Sequence, residues 1–207
     1  MPPARRPRRG RRPGASGTRE AIAEAARRCF GEAGYDRTGI RDVAQLAGVD
    51  PALVMHYFGS KQKLFVSVMA LPYEPEEILP ALVRDGDGAV GERLARFIVG
   101  VLERPEQRMV LVGMVRAAAA EPDIADLVRE LVSARIVDGI AAGLDVPDAA
   151  ARASLVASQI IGLITARYVI RIDPLARLAP DTLVAALAPV FQHYLTGQIL
   201  PDPASGT

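Results

Sequence analysis

Between Thr38 and Lys61 the chain reads TGIRDVAQLAGVDPALVMHYFGSK, and the Gly48-Val49-Asp50-Pro51 step at its centre limits what the rest can become. Glycine supplies a tight turn. Asp50 then caps a new helix, and Pro51 takes its first position, where a missing N–H is harmless. The spacing predicts short helices over about 39–46 and 51–57, with Ile40, Val43, Ala44 and Ala47 on one face of the first. Neither is long enough to be stable alone, so the pair must lean on other elements. Thr38 is assigned as the N-cap of the first helix, Val49 as the apolar plug of the turn, and Ser60 as the cap of a third helix carrying Lys61 and Lys63 in its first turn. Cations there oppose the helix dipole, a cost that a nearby phosphate offsets.

Upstream, a helical pattern starts at Thr18, its plausible N-cap, places Ile22, Ala25, Ala26, Cys29, Phe30 and Ala33 on one face, and stops at Gly34. Downstream, the helix from about 61 to 71 ends at Pro72, and the proline-rich, Asp-Gly-containing stretch 72–88 marks a domain boundary. Further helices follow at about 89–103, 106–119, 124–142, 149–171 and 182–196, with breaks at Pro105, Glu121-Pro122-Asp123, Gly143 to Pro147 and Asp173-Pro174. Nothing alternates with period two between turn signals. The fold class is therefore all-α: a three-helix N-terminal domain over 18–63 with its connecting helix, then a larger helical domain over 72–200, with disordered ends at 1–17 and 201–207.

Half of the 207 residues are apolar, enough for a real core. The single cysteine, Cys29, excludes an internal disulfide and reads as a core residue rather than a redox sensor. No paired Cys/His spacing suggests zinc, and no nucleophile with a base, convergent carboxylates or phosphate-binding glycine loop suggests an enzyme; no cofactor is expected. The N-terminus lacks the apolar region of a signal peptide. The longest membrane-like run, Leu155 to Ala166, contains Ser158 and Gln159, lies between Arg152 and Arg167, and falls short of the ~20 residues that span a bilayer. A cytoplasmic protein with no membrane partner is expected.

Charge is unevenly spread. Residues 1–63 carry 13 Lys/Arg against 6 Asp/Glu, a net of +7, and residues 64–207 carry 12 against 18, a net of −6. One end is built to meet a polyanion. Six arginines lie within the first twelve positions, interrupted by proline and glycine. Such an arm is either a solvated charge run or, joined to a DNA-reading domain, a minor-groove or phosphate contact; the second is favoured.

The ordered run Thr38, Gly48, Asp50-Pro51, His56-Tyr57-Phe58, Ser60-Lys61 closely resembles the helix-turn-helix DNA-binding domain of the TetR family of bacterial regulators, and the likeness extends over 18–71. Beyond it, SQIIGLITARYVI and LAPVFQHYLTG resemble one actinobacterial-type subgroup. The resemblance puts Thr38, Tyr57 and Lys61 on phosphates, gives Arg41 a base or phosphate contact, and lines the major groove with Pro51, Ala52, Leu53, Met55 and His56. This chain departs from the common pattern at Asp50, Ala52 and Met55, where family members often carry serine, glycine and tyrosine. Leu53 and Met55 favour contact with thymine methyls and leave hydrogen bonding to Arg41 and His56.

The segments 149–171 and 182–196 carry more apolar surface than one stripe needs, which implies a partner helix; Ala153, Ala157, Gly162 and Ala166 would let it approach closely. Pro189 is expected to kink the last helix and Gly197 to cap it. The family pairs two such helices per subunit into a homodimeric bundle, so a palindromic double-stranded operator is expected. Members generally bind a small effector in the larger domain. Arg116, Gln159, Arg167 and Tyr168 are the polar candidates for that pocket, and the arginines point to an anionic effector. The alternatives are an effector-independent regulator or activator of the same fold, or a carrier or enzyme without DNA function.

Overall fold

A computed structural model of the chain describes residues 15–68, 74–84, 88–146 and 148–199. Helix α1 spans Ala15–Ala33, so Thr18 lies inside it and is not its cap, and residues 15–17 are helical rather than part of an arm. The remaining arginine-rich residues, 1–14, and the tail 201–207 lie outside the described residues. Gly34 ends the helix with a φ of +81°, a backbone conformation that costs glycine nothing.

Helix α2 spans Ile40–Ala47 and its N-cap is Gly39, not Thr38. Thr38 is only 2% exposed, and its hydroxyl is turned inward toward the carbonyl oxygens of Gly34 (2.8 Å) and Cys29 (2.9 Å). It ties the end of α1 to the start of α2, and the cap falls to the next residue, whose N–H donates to the Asp42 carboxylate at 2.7 Å. Gly48 makes the turn in the left-handed region at φ 68°. Helix α3, Pro51–Phe58, starts as its sequence dictates: the Asp50 carboxylate accepts the Ala52 N–H at 2.8 Å, with Pro51 in the first turn. Helix α4 is described over Lys61–Val68, its Lys63 N–H donating to the Ser60 hydroxyl at 3.1 Å.

The stretch read as a boundary loop contains a helix. α5 spans Pro75–Val83 and buries Leu79 and Val83, one turn apart, in the core of the larger domain. Its prolines argue for a loop locally, but Pro75 sits in the first turn and Pro80 inside, where the packing of the buried face outweighs one lost hydrogen bond.

The remaining helices are α6 (Val90–Glu103), α7 (Pro105–Ala120), α8 (Pro122–Val132), α9 (Asp138–Ala141), α10 (Ala149–Ile164) and α11 (Pro180–Thr196). Pro105 and Pro122, read as breaks, are first-turn residues of α7 and α8. π-helical turns at Ser133–Val137 and Thr165–Ile170 extend α8 and α10, and a 3-10 turn at Leu175–Arg177 occupies the last loop. The run Ala149–Ile170 is 22 residues, long and apolar enough by length and composition to cross a membrane, longer than the dozen read from sequence. Of its residues, Ala153, Val156, Leu163 and Ile164 are buried with Leu94, Ile140 and Phe191 in the main core. Helix α11 continues unbroken through Pro189, and the Gly197 N–H donates to the His193 carbonyl at 2.8 Å.

A second core lies under α2 and α3 and includes Ile22, Phe30, Val43, Val54, Phe58 and Phe65. Met114, Ala117 and Ile124 belong to it although they sit on α7 and α8. The corner between those helices is therefore a piece of the larger domain built into the smaller one.

Candidate nucleic-acid interface

Helix α3 is held by Val54 and Phe58, buried one turn apart. That anchoring leaves Pro51, Ala52, Leu53 (37%), Met55 (43%) and His56 exposed. A helix about 10–12 Å across, exposed along one side, matches the ≈ 12 Å width of a DNA major groove. Tyr57 is half-buried, its ring edge-on to His56 with centroids 5.5 Å apart. Arg41 projects as an exposed side chain from the first turn of α2.

Lys61 is braced rather than free: its Nζ stands 4.1 Å above the Tyr35 ring, and that ring packs on Phe30 and Phe65 with centroids 6.0 and 5.0 Å away. Burial, followed by the carboxylates of Glu121, Asp123 and Asp36, pushes the Tyr35 phenol above its ordinary pKa, so the ring under the ammonium stays neutral. Burial likewise raises the Cys29 thiol, with Asp42 and Glu32 adding to it, which suits a packed residue rather than a reactive one. The Thr38 hydroxyl, expected on a phosphate, is instead buried against the α1 carbonyls in this structure. At the start of α2 the Gly39 N–H is taken by the Asp42 carboxylate, while the Ile40 and Arg41 N–H groups precede the first intrahelical bond; this helix start is the feature that sequence reading missed. Its signal was Asp42, three residues after Gly39, in the position of a capping-box acid.

Among α5, α6, α7, α8, α10 and the Ser133–Val137 turn lies a partly open cavity of about 220 Å³. Phe97, Leu102, Leu111, Met114, Val115, Val128, Ile136 and Ile160 are among its walls, and every lining residue is apolar. The polar candidates lie elsewhere. Arg167, 7% exposed, donates to the carbonyls of Leu175 and Leu178 and to the Tyr168 hydroxyl, clasping the loop before α11. Gln159 reaches the Tyr194 hydroxyl at 3.4 Å. Arg116, Arg167 and Tyr168 do share an open cleft, with Arg108 and Arg171, separate from the cavity.

Residues 22–68 match the model of bacterial regulatory proteins of the tetR family, and residues 89–195, more than half the chain, match that of the tetracyclin repressor-like C-terminal domain. The chain belongs to the TetR family of bacterial transcriptional regulators. A TetR-family regulator from Streptomyces coelicolor A3 is 35% identical, with a TM-score of 0.68 over 91% of this chain and 99% of that one. The transcriptional repressor AcnR of Corynebacterium efficiens is 33% identical over 90 residues, 44% of this chain and 43% of that protein. The regulator BetI of Agrobacterium fabrum is 29% identical over 80% of this chain and 84% of its own length. The chain thus aligns with less than half the length of AcnR. Within the TetR fold, the small residues assigned to a partner helix divide: Ala153 and Ala157 are buried in their own protomer, and Gly162 is exposed beside Ser154, Ser158 and Ile161 (41%).

Proposed function

We propose that this TetR-family chain is a cytoplasmic repressor that binds a near-palindromic operator as a homodimer and is released when a small molecule enters its larger domain. The observation that carries the reading is α3, pinned by Val54 and Phe58 and presenting Leu53, Met55 and His56 outward. Leu53 and Met55 meet thymine methyls, while Arg41 and His56 supply hydrogen bonds to bases. Lys61, Tyr57 and the backbone at the start of α2 hold phosphates, the last in place of Thr38. The similarity to AcnR, a repressor, supports the direction of control.

The second copy packs on the outer faces of α10 and α11, where Ser154, Ser158 and Gly162 stand near one another in helical register and Ala186, Pro189 and His193 do the same. A Cβ added at Gly162 meets nothing within 4 Å in the protomer, so that position is open to close approach by a partner. Two recognition helices then stand one helical turn of DNA, ~34–36 Å, or a multiple of it, apart. Selection of genomic fragments on the purified protein, followed by nuclease protection, is expected to yield a protected palindrome. Random capture with no protected palindrome overturns the reading.

A further inference from the structure

We infer that the effector is an uncharged, apolar molecule and that it acts on the DNA-binding domain through a wall shared between the cavity and that domain's core; the inference rests on the effector-released repressor proposed above. The class of ligand follows from the walls. A charge placed among side chains such as Phe97, Leu111 and Ile160 would lose its water and gain no partner there. At about 220 Å³ the space exceeds an apolar cavity of about 150 Å³ that holds benzene, which sets the ligand at roughly eight to ten heavy atoms. The cationic cleft that would suit an anion lies outside this cavity.

The route follows from the packing. Met114, Ala118 and Val128 line the cavity and also pack in the cluster that holds Val54 and Phe58 of the recognition helix and Phe65 of α4. None of the described residues of α4 lines the cavity, so a ligand's push passes through the α7–α8 corner. An unbranched methionine can change rotamer at such a wall, and close packing passes the shift on. The π-helical turn Ser133–Val137 borders the same wall through Ile136, and turns of this kind mark places where a helix departs from regular geometry at functional sites.

The test uses the full chain, an operator fragment obtained by the selection above, and two probes of matched length, 1-octanol and octanoate at pH 8. Octanol is expected to bind by calorimetry and to lower operator affinity at least fivefold, and operator-bound protein to bind octanol more weakly by the same factor. Octanoate is expected to do neither. Val115→Phe and, separately, Leu111→Phe are expected to fill the cavity and to abolish both octanol binding measured without DNA and the octanol response. Release by octanoate in preference to octanol, or a full octanol response in both filled variants that retain operator binding, overturns the ligand class. Octanol that binds without changing operator affinity overturns the shared wall. Absence of operator binding without any probe defeats the repressor reading itself, and the two failures are told apart because octanol binding is measured without DNA.

Discussion

Thr38 and Asp50 are both short polar residues beside a helix start, and only one of them caps it. Asp50 has its carboxylate on the Ala52 N–H, so Asp50→Ala is expected to cost about 1 kcal/mol and to lower the thermal midpoint measured by circular dichroism. Thr38 is buried with its hydroxyl on α1 carbonyls, so Thr38→Val is expected to destabilise by about 1–2 kcal/mol while leaving the salt dependence of operator binding unchanged. A slope reduced by about one ion would instead place that hydroxyl on a phosphate. Arg41→Ala differs in kind. Its side chain is exposed, and the substitution is expected to weaken operator binding by about tenfold at constant stability, measured by titration at two salt concentrations. The identity of the exposed residues was legible in sequence. The orientation of Thr38 was not, since a hydroxyl beside a helix start caps the next helix or closes the previous one with equal local plausibility.

At the scale of elements, α2, the Gly48 turn and α3 were legible because their signals are local: glycine in the left-handed region, an aspartate cap and a proline in the first turn. Helix α5 was hidden because its prolines resemble loop punctuation and its reason for being helical is the burial of Leu79 and Val83 against elements far along the chain. The pairing of α6 with α11 is likewise a matter of close approach. A Cβ on Gly91 would land against the Ala188 carbonyl and 2.5 Å from the Gln192 backbone nitrogen, so Gly91→Ala is expected to destabilise by about 1–3 kcal/mol in urea denaturation. The Gln192 side chain reinforces that contact, accepting the Gly91 N–H at 2.9 Å.

For the whole molecule, two cores meet at the α7–α8 corner, and charge is divided between a basic N-terminal part and an acidic remainder. Ser158→Arg, on the outer face of α10, is expected to leave the fold intact and shift sedimentation from dimer to monomer, with loss of cooperative operator binding. Removal of residues 2–12 is expected to weaken binding to every DNA sequence alike and to flatten its salt dependence, since six arginines leave with them. By itself the sequence determined the all-helical class and the helix-turn-helix with its turn and cap, because helical period, glycine geometry and capping chemistry act over a few residues, and its resemblance to the family singled out the α3 residues that prove exposed. Only the tertiary structure decided where Thr38 points, that 75–83 is a helix, that a wholly apolar cavity lies among α5, α6, α7, α8 and α10 with Arg116, Gln159, Arg167 and Tyr168 outside it, and that Met114 belongs to both the cavity wall and the DNA-binding domain's core. Those outcomes depend on which faces meet across long stretches of chain, and close packing settles that for the molecule as a whole.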